Sequence, residues 1–453
     1  MPKGRIGRHW GPHHPSRVLT SIDPRVANVN AFRERQLAQL YFSNDNDAII
    51  GSWRVVVVPQ GEASLSIYIH IPFCTLRCGY CAFNTYTDLE HLIPDYVDAL
   101  CSELAFAAMK VRDQPVHTVY FGGGTPSLLS PRQFEQILSQ VNSDFCIESE
   151  AEWSLEANPD DLSEPYLRDL RSMGFNRLSI GMQSANAAIL RMFDRRHDIA
   201  SVGAAVGYAR RAEFNNINLD VIFGSPGETL ADWKQTVETL LQFWPEHISL
   251  YGLELKGGTR LRQQVDAGEL PRPDDDVFAD MYEFSSTALA TAGYDQYEIS
   301  NWCRPGKACR HNLQYWRNLE YIGVGAGAHG FYGGCRYSTI AAPQRYVAAL
   351  KKGASGNNLL SLTPAVAKSV QVSEADDKYE TIMMGLRLTK EGINRESFRR
   401  RFGRDFVDTF YDATQKLATA GLLIATKDHV RLSESGRLLS NLVIREFVDQ
   451  IKL

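Results

Sequence analysis

The chain of 453 residues contains six short β-rich runs, and an amphipathic stretch of helical period follows each of them. Strands that alternate with helices run parallel to one another, joined by right-handed crossovers. The runs read as apolar on both faces, which suits a barrel or part of one. The sequence therefore predicts an α/β fold built on a partial (β/α)6 barrel. The predicted strands are SIYIHI (66–71), HTVYFG (117–122), EWSLEA (152–157), RLSIGM (177–182), NLDVIFG (218–224) and HISLYGL (247–253).

Polar or glycine-rich loops follow all six predicted strands. In a barrel of parallel strands, the carboxyl ends of the strands carry the chemistry, so the loops are expected to converge on one mouth. In chain order the loops are a cysteine-containing segment, GGGTP (122–126), EANP (156–159), Gln183-Ser184, GSPGE (224–228) and KGGT (256–259).

Three cysteines follow the first strand in the string IHIPFCTLRCGYCAFNTY, as Cys74, Cys78 and Cys81. Thiolates this close together can ligate one compact inorganic centre. A four-iron cubane needs a ligand on each iron, so three cysteines leave one iron open to a small molecule. A structural zinc site is the alternative, but zinc usually takes a fourth Cys or His arranged in paired knuckles, and no such partner lies nearby.

Composition excludes several classes of protein. The net charge of −5 gives no global reason to expect nucleic-acid binding. No apolar run approaches the length of a membrane span, and Val55–Val58 is far too short. Eight cysteines in a chain of this length do not indicate a disulfide framework, and clustered thiols suit a reducing compartment. We therefore expect a cytoplasmic protein, with peripheral contact to a membrane left open.

The sequence also predicts a division into segments. Residues 1–64 have weak periodicity and are interpreted as a partly disordered extension. The core barrel is placed at 65–270, and a capping segment containing HNLQYW at 271–353. Residues 374–453 are expected to form helices, a β-hairpin and a last helix, which is typical of a winged-helix domain. Their mixed charge favours a packing module over DNA binding.

The motifs together resemble those of radical S-adenosylmethionine (SAM) proteins. Over residues 66–350 and the C-terminal domain, the chain is similar to the family of oxygen-independent coproporphyrinogen III oxidases and the related heme chaperones HemW. The resemblance leaves out only the first sixty or so residues. The strings that carry it are YIHIPFC, GYCAFNTY, VYFGGGTPSLL, SLEANPDDL, RLSIGMQS, LDVIFGSPGET, SLYGLELKGGT and YEISNWCRPGKACRHNLQYWRN.

This resemblance implies a 4Fe–4S cluster on the three cysteines, with SAM bound to the open iron. The glycines after the second strand are expected to let the backbone approach a ligand closely. Arg195 is a candidate partner of the SAM carboxylate, with a solvated helix-end arginine as the alternative. Asp220 needs a partner within its apolar strand, either a ligand or a buried hydrogen bond. The SAM contacts carried over from the family are Tyr68, Tyr80, Gly123, Gly124, Thr125, Glu156, Gln183, Arg195 and Asp220.

One departure bears on function. The oxidases have a fourth cysteine two residues after the third, where this chain has Phe83. With HNLQYW (311–316), this favours a chaperone that binds heme and delivers it to membrane respiratory enzymes. The alternatives are a coproporphyrinogen III oxidase and a radical SAM enzyme with another substrate, so turnover stays uncertain. The candidate heme ligands are His311, Cys309 and His329, each with a structural role as the alternative.

Overall fold

The structure is a computed structural model that describes residues 64–111, 114–353 and 362–451. The predicted N-terminal extension, including a short helix expected near Ala31–Tyr41, lies outside the described residues apart from Ser64. No helix in the described ranges is both long enough and apolar enough to cross a bilayer.

The strands and helices alternate along the first half of the chain as predicted. The strands are β1 Leu65–Ile71, β2 Pro115–Gly123, β3 Cys146–Ala157, β4 Arg177–Gln183, β5 Ile217–Phe223, β6 His247–Gly252, β7 Asp295–Glu298, β8 Asn301–Cys303, β9 Tyr321–Val324, β10 His329–Tyr332, β11 Cys335–Thr339, β12 Val366–Gln371, β13 Ile393–Asn394, β14 Leu423–Ala425 and β15 His429–Leu432. The α-helices are α1 Ile93–Ala108, α2 Pro131–Asp144, α3 Glu164–Ser172, α4 Ala187–Met192, α5 Ile199–Arg211, α6 Leu230–Gln242, α7 Arg260–Asp266, α8 Asp275–Thr291, α9 Arg310–Trp316, α10 Pro343–Lys352, α11 Glu374–Gly385, α12 Arg395–Phe402, α13 Phe406–Thr409, α14 Tyr411–Thr419, α15 Glu434–Leu438 and α16 Ser440–Ile451.

Twelve strands form one sheet in the order β12-β11-β10-β9-β1-β2-β3-β4-β5-β6-β8-β7. Strands β1 to β6 are parallel and follow chain order, which confirms the predicted βα series. The barrel is partial because β1 pairs with β9, and β6 pairs with the antiparallel β8, instead of with each other. The capping segment thus continues the sheet at both edges, and the predicted domain boundaries stay predictions.

The parallel strands have one apolar face and one polar face, so the expectation of two apolar faces was wrong. Ile67, Val119 and Leu155 belong to a core shared with the surrounding helices. The residues between them point to the barrel interior, where the Thr118 hydroxyl donates to Ser66 at 2.7 Å. Alternation with period two is the ordinary signature of strands whose faces meet different surroundings.

The C-terminal region begins with α11 and adds a three-stranded sheet in the order β13-β15-β14. The order is helix, strand, three helices, hairpin and two helices, which agrees with the predicted helices, hairpin and final helical part of a winged-helix-like domain. Its core is separate from that of the barrel and includes Ile299 and Trp316 from the capping segment. Arg401 binds Asp377 at 2.6 Å within this region, so this basic side chain of α12 serves internal packing.

Candidate functional site

The three cysteines lie in one loop at the carboxyl end of β1. Backbone hydrogen bonds between Cys74 and Tyr86 (2.9 Å) and between Tyr86 and Pro72 (2.8 Å) close the base of this loop. Each cysteine sulfur has a polar neighbour. These neighbours are Thr125 Oγ1, 3.4 Å from the Cys74 sulfur, Arg195 Nη1, 3.5 Å from the Cys78 sulfur, and Thr85 Oγ1, 4.0 Å from the Cys81 sulfur. Hydrogen bonds to the sulfurs are one of the ways in which proteins tune iron–sulfur clusters.

The chemistry of these thiols fits a bound cluster. Burial, together with the charges of the neighbouring cysteines, raises the pKa of Cys74 to about 11. Burial likewise raises the pKa of Cys81. A bound metal centre would favour the thiolate form of both groups against this increase. Within the three described ranges, no three His, Cys, Asp or Glu side chains come close enough to hold a single metal ion. A cubane spreads its cysteines over different irons.

The glycines after β2 pack closely against the protein itself, and the expectation that they let the backbone approach a ligand closely stays a prediction. A Cβ on Gly124 would lie 2.7 Å from the Phe73 carbonyl oxygen and 2.8 Å from that of Ile71. Gly123 has φ of +114°, and a Cβ there would lie 2.4 Å from the ring of His70. The absence of side chains lets this loop pack against the end of β1, where the cysteine loop starts.

Glu156 ends β3 beside the glycine loop. The Tyr120 hydroxyl donates to Glu156 Oε1 at 2.8 Å, and the Gly123 amide donates to Oε2 at 3.0 Å. Burial raises the pKa of Glu156 to about 7, and the charge of Asp220 adds to the increase. Asp220 accepts hydrogen bonds from Ser179 (2.7 Å) and Asn218 (2.9 Å). Of the two partners expected for this carboxylate, a ligand or a buried hydrogen bond, the structure contains the buried hydrogen bond.

Arg195 is not a solvated helix-end side chain. Its guanidinium donates to Asn158 Oδ1 at 2.8 Å and to the Gly181 carbonyl at 3.2 Å, and it reaches Cys78 as described above. Asn158 also donates to Thr125 Oγ1 at 3.3 Å. Arg195 and Asn158 therefore connect the loops after β2, β3 and β4 with the cysteine loop.

The other predicted SAM contacts lie around the same end of the barrel. Gln183 ends β4 with φ of +63°, an uncommon conformation for a residue other than glycine. The ring of Tyr80 packs on Phe193 at 4.7 Å. Tyr68 points into the barrel, where its hydroxyl lies 3.0 Å from His70 Nδ1.

His311 lies inside the barrel, below the mouth, and is only 2% exposed. Its Nδ1 is 2.7 Å from Thr118 Oγ1, and its Nε2 is 2.8 Å from the Tyr315 hydroxyl. Each ring nitrogen of His311 thus lies within hydrogen-bond distance of a hydroxyl group, whichever of the two carries the proton. The one lone pair that could bind iron is therefore occupied, so this geometry favours the structural role of His311.

The two remaining heme-ligand candidates differ in exposure. Cys309 is buried, and its thiol donates to Glu152 Oε1 at 3.5 Å. Burial raises the pKa of this thiol to about 12, so it stays protonated. His329 is exposed at the start of β10. Of the three candidates, His329 alone lies at the surface.

Several residues of the site were missed from the sequence. Asn158 follows Glu156 by two positions in the loop after β3. Its position in a loop at the barrel mouth was the sequence signal that could have identified it as a site residue. Asn84 donates to the carbonyls of Ala326 (3.0 Å) and Ala341 (3.1 Å), joining the cysteine loop to the capping segment. No sequence signal marks that contact, because it depends on how two distant loops fold.

Comparison with known proteins identifies the domains. Residues 68–240 match the family model of the radical SAM superfamily, and residues 372–439 match that of the HemN C-terminal domain. Membership of the superfamily implies a 4Fe–4S cluster and SAM. The solved structure of coproporphyrinogen III oxidase (HemN) from Escherichia coli superimposes with a TM-score of 0.73 at 23% identity, covering 88% of this chain and 92% of that chain. This likeness shows the fold.

Curated relatives match over most of their length. The heme chaperone HemW of Mycobacterium tuberculosis (strain ATCC 25618 / H37Rv) is 38% identical over 392 residues, which cover 86% of this chain and 96% of the relative. That of Bacillus subtilis (strain 168) is 34% identical over 388 residues, with 85% and 100% covered. The chain belongs to the family of the heme chaperones HemW, within the radical SAM superfamily.

Proposed function

We propose that this protein is a heme chaperone, which holds a 4Fe–4S cluster and SAM at the barrel mouth and carries heme to respiratory enzymes. The observation that carries the proposal is Phe83, a phenyl side chain with 57% of its surface exposed where the oxidases have a fourth cysteine. A phenyl ring offers no ligand for a metal and no acid–base group. The identity of 34–38% to curated heme chaperones supports the same reading.

Cys74, Cys78 and Cys81 would hold the cluster, and the donors beside their sulfurs would adjust its potential. When bound, the cluster supplies the electron that cleaves SAM in this superfamily. Glu156 would accept from the SAM ammonium group, and Arg195 would donate to its carboxylate. Hydrogen bonds within the protein orient both side chains, from Tyr120 and Gly123 to Glu156 and from Arg195 to Asn158.

The remaining proposed SAM contacts fall into two groups. Gly123, Gly124 and Thr125 would bring the backbone of the β2 loop close to the cluster. The other four, from β1, the cysteine loop, β4 and β5, would surround the rest of the ligand with hydroxyl, amide and carboxylate groups. These four are Tyr68, Tyr80, Gln183 and Asp220.

The second candidate function is oxidation of coproporphyrinogen III. The fold similarity to HemN favours keeping it, although that similarity at 23% identity concerns the fold alone. A third candidate is a radical SAM enzyme that acts on another substrate.

Parallel assays on anaerobically reconstituted protein separate these functions. We expect heme binding, seen as a Soret band, and no conversion of coproporphyrinogen III in the presence of SAM and a reductant. Conversion of coproporphyrinogen III would refute the chaperone assignment in favour of the oxidase. SAM cleavage without heme binding or coproporphyrinogen turnover would favour another substrate. Transfer of heme to respiratory enzymes in membrane vesicles would test delivery and the proposed peripheral contact with the membrane.

A further inference from the structure

A network of hydrogen bonds continues from Asp220 into the barrel interior. Ser179 and Asn218 donate to its two carboxylate oxygens, and the Asn218 amide nitrogen also donates to Ser179 Oγ at 2.6 Å. The Asn218 carbonyl oxygen lies 2.7 Å from His247 Nδ1. On the other side of the ring, His247 Nε2 lies 2.9 Å from the Tyr297 hydroxyl. Asn218 and His247 are 2% and 1% exposed, so solvent hardly reaches the middle of this network.

The groups in the network fix the direction of its hydrogen bonds. A carbonyl oxygen can only accept, so His247 donates to Asn218 from Nδ1. Burial, together with the positive charge of Arg177, lowers the pKa of His247 well below its usual range, so the ring is neutral at neutral pH. In a neutral imidazole that is protonated at Nδ1, Nε2 carries a lone pair. The Tyr297 hydroxyl therefore donates to His247 Nε2.

The network begins at the helix that carries HNLQYW. Asn312 Nδ2 donates to the Tyr297 hydroxyl oxygen at 3.2 Å. Tyr297 lies on β7, and His247 is the first residue of β6, so this part joins the capping segment to the amino-terminal end of a barrel strand. Asn218 and Asp220 then continue the network along β5 in the direction of the mouth. A residue remote from the mouth is thus connected to a proposed SAM contact by hydrogen bonds of one direction.

His247 holds the Asn218 amide in one of its two orientations. Rotation of the amide by half a turn would turn its oxygen toward Asp220 and its N–H groups toward the Nδ1 proton of His247. Both contacts would then join like partners, two acceptors or two donors. Ser249 Oγ also contacts the Asn218 oxygen, at 3.1 Å, but a hydroxyl can serve either orientation. The proton on His247 Nδ1 therefore keeps an N–H of Asn218 directed at Asp220.

We propose that His247 is a positioning residue for SAM binding, which acts through Asn218 on the carboxylate of Asp220. This inference rests on the proposed function, in which Asp220 contacts SAM. His247 would not touch the ligand, because Asn218 lies between its ring and Asp220. Its effect on SAM would come from a carboxylate that is already oriented when the ligand binds.

Calorimetric titration of the full chain with SAM, after anaerobic cluster reconstitution, tests this inference. His247→Phe removes the donor to Asn218 and is expected to weaken SAM binding by about tenfold, the size of one hydrogen bond to a strongly polar site. His247→Asn places an amide N–H where Nδ1 lies and should retain most of the affinity. Tyr297→Phe removes the hydroxyl that donates to Nε2 and should weaken SAM binding by about threefold.

A second background separates positioning from a loss of stability. If His247 acts through Asp220, then His247→Phe should change the SAM affinity by less than about twofold in a protein that already carries Asp220→Asn. Tyr346→Phe is the matched control for Tyr297→Phe, because Tyr346 is also buried and its hydroxyl donates to Glu103 at 2.6 Å, outside this network. This control should lower the free energy of unfolding and leave the affinity for SAM unchanged.

The outcomes distinguish this inference from the proposed function. Wild-type SAM affinity in His247→Phe, or the same loss of affinity with and without Asp220→Asn, would overturn the role of His247. If His247→Phe does not fold in denaturant unfolding, wild-type SAM affinity in Tyr297→Phe would overturn it. Unchanged affinity in Asp220→Asn would remove that carboxylate from the site and the inference with it. A wild-type protein that holds its iron and sulfide but binds no SAM would overturn the proposed SAM site itself.

Discussion

If Glu156 binds the SAM ammonium group as proposed, its raised pKa makes SAM binding depend on pH. Burial raises this pKa to about 7, while hydrogen bonds from Tyr120 and Gly123 oppose the increase. If the carboxylate accepts from the SAM ammonium group, only the ionised form binds well. With a pKa of about 7, roughly one Glu156 side chain in eleven is ionised at pH 6. We therefore expect the Kd for SAM to be about elevenfold higher at pH 6 than on its plateau at higher pH, or about 1.4 kcal/mol.

Calorimetric titration of the reconstituted protein between pH 5.5 and 8.5 would measure this dependence, with Glu156→Gln as the control. The amide keeps the shape of the carboxyl group but does not titrate. The SAM amino group titrates in both proteins, so the contribution of Glu156 is the difference between the two profiles. Parallel profiles in the two proteins would refute the role of Glu156.

The same carboxyl group affects folding with a definite sign. A pKa that is raised in the folded state contributes stability below the unfolded pKa and loses it as the pH rises through the folded value. Without ligand, the free energy of unfolding of the wild-type chain relative to Glu156→Gln should fall by on the order of 3 kcal/mol between pH 4.5 and 8. Denaturant unfolding at several pH values would show this, and a relative stability that rises with pH would contradict the burial argument.

Three further predictions follow from the site. Replacing Cys74, Cys78 or Cys81 with Ala should abolish the cluster, as measured by iron and sulfide content and electron paramagnetic resonance; a complete cluster in the triple variant would disprove the assignment. Gly124→Ala should lower the free energy of unfolding by about 1–3 kcal/mol, because its Cβ would meet backbone atoms of Phe73 and Ile71. Gly257→Ala, which has open space around it, is the matched control in denaturant unfolding, and equal effects would contradict the packing argument. His311→Ala should weaken SAM binding without changing the Soret band of bound heme, and a changed band would restore His311 as a ligand.

The glycine prediction adds to an expectation from the sequence. The sequence predicts only that the glycines after the second strand let the backbone approach a ligand closely. The structure places the missing Cβ against main-chain carbonyls, which cannot move as freely as the end of a side chain. A loop position in the sequence does not reveal that the loop packs on a neighbouring strand.

Much of the barrel could be predicted because each strand has a local signal. The runs around Ile67 and Ile180 are short and apolar, and stretches with the period of a helix follow them. The predicted order of strands and helices in the barrel was therefore correct. The start of β3 was predicted at Glu152, whereas the strand begins at Cys146. Residues 146–150 are mostly exposed or half-buried, so they lack the apolar pattern that marks the rest of the strand.

The site was predictable where chemistry follows a strand end, and less so where it depends on packing. Glu156 and Gln183 were identified because carboxyl ends of parallel strands meet at one mouth. The heme-ligand candidates were harder, since a histidine in a sequence does not reveal whether its side chain is buried. His311 and His329 looked equivalent by residue type, and only the fold shows one buried among hydrogen bonds and the other exposed.

The HNLQYW segment is better explained by the polar interior of the barrel than by heme. Buried polar side chains need hydrogen-bond partners, and an apolar helix in the place of α9 would leave Thr118 without one of its contacts. His311 supplies that contact and stacks on Tyr120, with ring centroids 4.9 Å apart and planes 21° apart. Tyr120 in turn donates to Glu156, the proposed SAM contact. The HNLQYW segment can thus affect ligand binding at the barrel mouth through Tyr120 and Glu156. For this reason, loss of His311 should change the affinity for SAM and leave the Soret band of bound heme unchanged.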